Sequence, residues 1–280
     1  MKKSFILLFS ILSFSLFAQE NLSKEAQAII EEGKILYRSE MASWYGTDLF
    51  LEKYKNQNNI GGYFSYADGK VTKCIFVSKT EKPVVIGTIS FDENFSVKTA
   101  KCDLKEREFT NLESDLFDLR SKTKEIVNSD DMFKTYKNTN FNIIPLINGK
   151  EKKVYILTGT TEQKKVIFGN DYLLTFNSKN KLQEKKKLHN NIIPVSYGGK
   201  DEVGSMHSHL PETGDYITAT DICTIMLYEK FTKWETYQVV TEKFINIWSC
   251  DTNTLIVIPN KSFKSIQESE EKKKNEKDKD

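Results

Sequence analysis

The spacing of apolar and polar residues changes along the first third of the chain from a helical period to a period of two. From residue 23 to residue 38, apolar side chains recur at helical spacing behind Ser23, whose hydroxyl suits an N-cap. A second helical piece over residues 48–54 follows a break at residues 44–47. Strict alternation and turn pairs such as Asp-Gly then predict an antiparallel meander. Its predicted strands are residues 63–66, 71–77, 84–91 and 95–102.

The pattern returns to a helical period at Thr110, which with Glu113 forms a capping box for a helix that reaches Ile126. Alternation then resumes, and Asn148-Gly149 predicts a second hairpin turn. A last helical segment, residues 220–231, interrupts the strands. The strands predicted in this part are residues 141–147, 153–157, 165–168, 172–176, 192–197, 236–240, 244–248 and 255–258.

The order of these elements predicts an α+β fold in two parts. The polar stretch from Asn128 to Asn140 is the predicted boundary between an N-terminal region, residues 19–130, and a C-terminal domain, residues 140–260. Residues 261–280 are almost wholly charged and bury too little apolar surface to fold, so they are predicted to be a disordered tail.

The N-terminus has the three parts of a secretory signal. Lys2 and Lys3 precede an apolar stretch, residues 5–17, and Ala18 supplies the small residue at its end. The apolar stretch is too short to span a bilayer. Residues 1–18 are therefore predicted to be a signal peptide, and the mature protein is predicted to be periplasmic or secreted, with no integral membrane segment.

Composition and motifs exclude several functions. The net charge of +2 argues against a dedicated nucleic-acid-binding protein. No phosphate-binding loop, dinucleotide fingerprint or serine-hydrolase elbow occurs in the sequence. The four cysteines allow bridges such as Cys74–Cys102 and Cys223–Cys250 in an oxidising compartment, or they are buried free thiols, and the sequence does not choose between these alternatives.

The candidate chemistry lies between residues 203 and 221. The chain has only three histidines, and two of them, His207 and His209, are two positions apart, so both rings point to the same side of an extended strand. Asp221 follows twelve residues later, at the start of the predicted helix. Two imidazoles and a carboxylate with one open position are typical of a catalytic zinc site, which makes Zn²⁺ the predicted cofactor.

At these residues the chain resembles the JAB/MPN metalloprotease family, whose motif is His-x-His, a short loop and Ser-x-x-Asp. The resemblance implies a mixed sheet with helices, and it implies that His207, His209 and Asp221 bind zinc. It also implies that Thr218, at the position of the motif's serine, stabilises a developing oxyanion. The loop is one residue longer than in the family, and threonine replaces serine.

A zinc hydrolase also needs a general base close to the attacking water. In the JAB/MPN family this base is a glutamate upstream of the histidines. The candidates here are Glu162, in a polar turn between strands, and Glu184, in a lysine-rich segment that is predicted to be a loop. His189, which begins the preceding strand region, is a third candidate, as a base, as a fourth ligand or as a surface histidine.

These observations predict an exported zinc-dependent peptidase or isopeptidase that acts on amide bonds of a peptide or protein substrate. The alternative is an exported binding or structural module that keeps the fold without catalysis. The three ligand residues favour the enzyme, whereas the lack of a matching glutamate segment favours the module.

Overall fold

The computed structural model describes residues 22–200 and 202–262. The predicted signal peptide, and all but the first two residues of the predicted tail, lie outside these residues. The chain forms two compact units. We call residues 34–194 the central unit, and we call the described residues up to 33 and from 195 onward the terminal unit.

The first helix, α1 (Lys24–Lys53), is continuous and contributes residues to both units. Ser23 caps it as predicted, because the Ser23 hydroxyl accepts a hydrogen bond from the Ala26 amide at 3.1 Å. The predicted break at residues 44–47 is wrong. Gly46 lies inside the helix, where a Cβ atom would come within 2.7 Å of the Cys74 Cβ. This glycine serves close packing against the neighbouring strand and does not end the helix.

The central unit contains two antiparallel four-stranded sheets, with strand orders β1-β2-β3-β4 and β5-β6-β8-β9. Helix α2 (Asn111–Ser129) lies between the two groups of strands in sequence and begins at the predicted capping box. The strands of the first sheet are β1 (Ile60–Asp68), β2 (Val71–Ser78), β3 (Val85–Phe91) and β4 (Lys101–Asp103). The later strands are β5 (Thr139–Asn148), β6 (Glu151–Thr160), β7 (Lys165–Gly169), β8 (Tyr172–Phe176) and β9 (Leu182–Lys187). They are followed by β10 (Ile192–Ser196), which begins in the central unit and ends in the terminal unit.

Helix α2 joins the cores of the two sheets. Leu116 is buried with Phe64 and Ile75 of the first sheet, and Leu119, one turn away, is buried with Val154 and Ile156 of the second. Full burial of such a side chain contributes about 1.5–3 kcal/mol. Both sheets therefore share one helix, and the polar stretch at residues 128–140 lies inside the central unit.

Two local features of the central unit differ from the sequence predictions. The predicted strand at residues 95–102 is mostly a turn region, in which Phe95 has a φ of 52°, and only Lys101–Asp103 pairs. The lysine-rich segment expected to be a loop is the edge strand β9 (Leu182–Lys187). All four cysteines of the chain are free thiols in the structure.

The terminal unit contains a mixed sheet and helix α3 (Ala219–Thr232). Strand β11 (Gly204–Ser208) pairs in parallel with β12 (Thr236–Val240), and the remaining pairs are antiparallel. The last strands are β13 (Phe244–Ser249) and β14 (Thr254–Pro259). Together with the antiparallel sheets of the central unit, this mixed sheet confirms the predicted α+β class. No helix in the described residues is long and apolar enough to cross a membrane.

Candidate metal centre

Strand β11 places the two neighbouring histidines on one side of the sheet. His207 lies within the strand, and His209 continues its pairing because its amide donates to the Val240 carbonyl at 2.9 Å. The alternation of a strand then turns both rings the same way. Each residue is only 8% exposed, so both imidazoles lie in the interior.

Asp221 is held by the N-terminus of helix α3. The Thr218 hydroxyl caps the helix by accepting from the Asp221 amide at 3.1 Å. The Asp221 Oδ2 atom in return accepts from the Thr218 amide at 2.9 Å and from the Thr218 hydroxyl at 2.7 Å. A carboxylate in the first turn is also stabilised by the helix dipole. The capping box therefore fixes a buried carboxylate that is 1% exposed.

The three side chains converge as the sequence predicted. The two Nε2 atoms of His207 and His209 are 3.1 Å apart, and His209 Nε2 is 3.1 Å from Asp221 Oδ2. The His207 Nε2 atom is 3.5 Å from Asp221 Oδ1. A tetrahedral zinc ion with bonds of about 2.0–2.1 Å sets its ligand atoms about 3.3–3.4 Å apart. This buried His-His-Asp group can therefore hold a metal ion.

The contact of His209 Nδ1 decides which nitrogen of that ring carries the hydrogen. Its Nδ1 atom is 3.1 Å from the Tyr216 carbonyl oxygen, and because a carbonyl only accepts, Nδ1 carries the hydrogen. In the neutral ring Nε2 is then a lone pair, and it faces a carboxylate oxygen that also has only lone pairs. A cation between them removes this repulsion. A proton could bridge only two of these atoms. A metal ion can instead accept lone pairs from His209 Nε2, from the Asp221 carboxylate and from His207 Nε2 together.

His207 is oriented by a residue that the sequence reasoning missed. Its Nδ1 atom is 3.0 Å from the hydroxyl of Tyr237, which is fully buried on strand β12. Burial, and then the charge of Asp221, raise the pKa of Tyr237, so the side chain stays a neutral phenol. A hydrogen bond to the outer ring nitrogen is the usual support of a metal-binding histidine. The only local signal for this tyrosine was its inward position in an alternating strand.

Helix α3 is also positioned by a close crossing with the first turns of α1. A Cβ atom at Gly33 would lie 2.8 Å from the Ile222 Cβ and 3.0 Å from the Ala219 carbonyl oxygen. Only a glycine allows this approach without a shift of the neighbouring helix. Ile222, which is next to the candidate ligand Asp221, is thus packed directly against α1.

The two glutamates considered as bases are both exposed residues of the central unit. Glu162 lies in the turn after β6 and forms an ion pair with Lys165, while its other oxygen accepts from Asn138. The hydrogen bond from Lys165, followed by the one from Asn138, lowers the pKa of Glu162 and makes it a weaker base. Glu184 lies on the edge strand β9. Their roles as bases remain predictions.

His189 is a buried residue, not a surface histidine. It is 3% exposed, and its Nδ1 atom is 2.7 Å from the Asp171 Oδ1 atom in the same unit. The Leu188 amide donates to the Asp171 carbonyl at 3.0 Å, which holds the two segments together. A carboxylate on Nδ1 orients an imidazole and raises the basicity of Nε2, as metal ligands and general bases require. Whether His189 is a ligand or a base remains a prediction.

Comparisons with known proteins give no match among family models, curated proteins or solved structures. The resemblance to the JAB/MPN family therefore rests on residues 207–221 alone and remains a prediction.

Proposed function

We propose that this protein is an exported zinc-dependent hydrolase that cleaves amide bonds in peptides. The observation that carries the proposal is the convergence of His207 Nε2, His209 Nε2 and the Asp221 carboxylate at separations of 3.1–3.5 Å in a buried position. Two nitrogen donors and one oxygen donor suit zinc, and a set of three protein ligands leaves one coordination position for chemistry.

The residues of the chain have separable tasks in this proposal. His207 and His209 present Nε2 to the metal because Tyr237 and the Tyr216 carbonyl occupy their outer nitrogens. Thr218 holds the Asp221 carboxylate at the helix start. Bound zinc would supply Lewis-acid chemistry, which lowers the pKa of a water molecule and polarises an amide carbonyl.

A base must accept the proton from that water, and His189 is our first candidate. Its side chain is buried and is oriented by Asp171, whereas Glu162 is exposed and has a lowered pKa. A base that works near neutral pH needs a pKa close to the pH of the medium. An exposed, ion-paired glutamate does not have such a pKa.

The exposed state of both candidate glutamates also favours a second function, an exported binding or structural module. In that case the His-His-Asp group would hold zinc for stability alone. Metal binding that exists only in the folded state adds directly to folding free energy, so such a role needs no base.

Elemental analysis and peptide hydrolysis of the purified mature protein test the proposal together. We expect stoichiometric zinc, and we expect cleavage of a mixed peptide library that stops on chelation and returns with added zinc. The variants His209→Ala and Asp221→Asn should lose both properties. Ser208→Ala is the matched control, because Ser208 is exposed between the two histidines and should keep both.

Two results would contradict the hydrolase. A protein that takes up no zinc from a zinc-containing buffer would refute the metal site itself. Stoichiometric zinc without cleavage of any library peptide would instead favour the binding module.

A further inference from the structure

The strand that carries the histidines has an open edge. Within the sheet of the terminal unit β11 pairs with β12 alone, so its other side ends the sheet. The Val203 carbonyl and the His209 amide both bond toward β12. By the alternation of a strand, the backbone groups of Gly204, Met206 and Ser208 point outward. No residue of the described terminal unit bonds to these outward groups.

This edge also lacks the features that normally prevent pairing. Proteins protect edge strands with charged residues, proline or very short strands. In the central unit β9 carries three consecutive lysines, and β4 has only three residues. By contrast β11, with the sequence Gly-Ser-Met-His-Ser, is uncharged and contains no proline.

Apolar side chains stand exposed along the same segment. Val203 is 60% exposed, Met206 is 56% exposed and Leu210 is 48% exposed. All three lie within eight residues and flank the two histidines. An added strand gains affinity from main-chain hydrogen bonds and selectivity from side-chain contacts of this kind.

We propose that the open edge of β11 binds the substrate as an added β-strand, so that the substrates are extended polypeptide segments. This inference rests on the proposed hydrolase function. A strand added at about 4.8 Å from β11 runs alongside His207, within β11, and His209, directly after it, which brings its amide bonds past the metal group. Folded domains and small amides offer no such strand and would be poor substrates.

Backbone methylation of a peptide tests this mode of binding without altering the protein. The probe is a peptide whose strand-forming segment is uncharged, as long as β11, and made of alternating threonine and valine; a charged tail outside this segment keeps it soluble. In an added strand only every second amide faces β11. N-methylation of that alternate set removes up to three hydrogen bonds and should weaken binding at least about tenfold. Methylation of the other set should change affinity less than about threefold.

The location of the bound peptide is tested by hydrogen exchange and by substitution. The amides of Gly204, Met206 and Ser208 should exchange more slowly when the unmethylated peptide is bound. Met206→Pro removes one outward donor and leaves the bonds to β12, since proline is tolerated at such an edge position. It should weaken binding about tenfold with zinc content unchanged, whereas Met206→Leu should bind like the wild type.

The outcomes separate this inference from the hydrolase proposal. Binding that shows the alternate methylation pattern, with no cleavage, refutes the hydrolase and supports the added strand. Cleavage that is equally fast for both methylated peptides overturns the added strand and leaves the hydrolase standing. Slower exchange at sites other than the β11 edge, with the β11 amides unchanged, would also overturn it.

Discussion

Thr218 offers the sharpest test of how the candidate metal centre is built, because two different roles can be assigned to its hydroxyl. The JAB/MPN resemblance implies contact with the reacting substrate. In the structure the hydroxyl instead accepts from the Asp221 amide and donates to the Asp221 Oδ2 atom at 2.7 Å. Thr218→Ala removes both interactions, and Thr218→Ser keeps the oxygen atom that makes them.

The positioning role predicts two separate losses in Thr218→Ala. Loss of the helix cap should lower the free energy of unfolding of the metal-free protein by about 1 kcal/mol. Loss of the hydrogen bond that orients Asp221 should weaken zinc binding by about 10- to 100-fold, which corresponds to about 1.4–2.7 kcal/mol. At saturating zinc, turnover should fall less than about tenfold. Thr218→Ser should stay within a few tenths of a kcal/mol of the wild type in stability.

Urea unfolding of the chelated protein and zinc titration against a competing chelator measure the two losses independently. The positioning role is refuted if Thr218→Ala binds zinc as tightly as Thr218→Ser. A fall in turnover of about 10²–10³ at full zinc occupancy would assign the hydroxyl to the oxyanion instead.

Three further predictions concern other parts of the molecule. Gly33→Ala should lower the free energy of unfolding by about 1 kcal/mol, as measured by urea titration. The overlap of the new methyl group with Ile222 costs about 1–3 kcal/mol, which outweighs the gain in helix propensity of about 1 kcal/mol. A more stable variant would contradict the close crossing. Burial raises the pKa of Glu40 to about 7, so its contribution to stability is present below pH 4.5 and is lost as the pH rises through 7. Glu40→Gln should therefore be more stable than the wild type at pH 8, by at most about 3 kcal/mol, and equal to it below pH 4.5; equal denaturation curves at both pH values would contradict the raised pKa. His189→Gln should lower the zinc content if His189 is a ligand. If His189 is the base, the variant should keep its zinc and lose about 100-fold in turnover. His189 has neither role if both quantities are unchanged. Glu162→Gln is the comparison variant for this third prediction: it should leave zinc content unchanged, and a similar loss of turnover there would identify Glu162 as the base.

Local patterns predicted those parts of the fold whose structure is decided by neighbours in sequence. The capping box at Thr110 begins α2 as expected, and the two Gly-containing turns close hairpins with the expected pairing. The candidate metal ligands also depend on local patterns. His207 and His209 are related by strand alternation, and Asp221 is placed by its own helix cap.

The sequence predictions failed where contacts distant in sequence decide the outcome. Gly46 suggested a helix break, but its role is to admit the side chain of Cys74, which is 28 residues away. The lysines of β9 suggested a loop because their charges are typical of exposed segments, yet charge is also how an edge strand is protected. Tyr237 bonds to a histidine 30 residues away and has no motif of its own.

The energetic cost of the His-His-Asp group supports a role beyond packing. Removing charged and polar side chains from water is costly even where they are hydrogen-bonded, and lone pairs that face one another add repulsion to that cost. Apolar residues of similar volume at positions 207, 209 and 221 would fill the same space without the penalty. In the structure a helix cap, a buried tyrosine hydroxyl and a backbone carbonyl instead hold these groups in place. Such an arrangement is stable when a cation occupies its centre, and this is why we expect chelation to lower the stability of the terminal unit before that of the central unit.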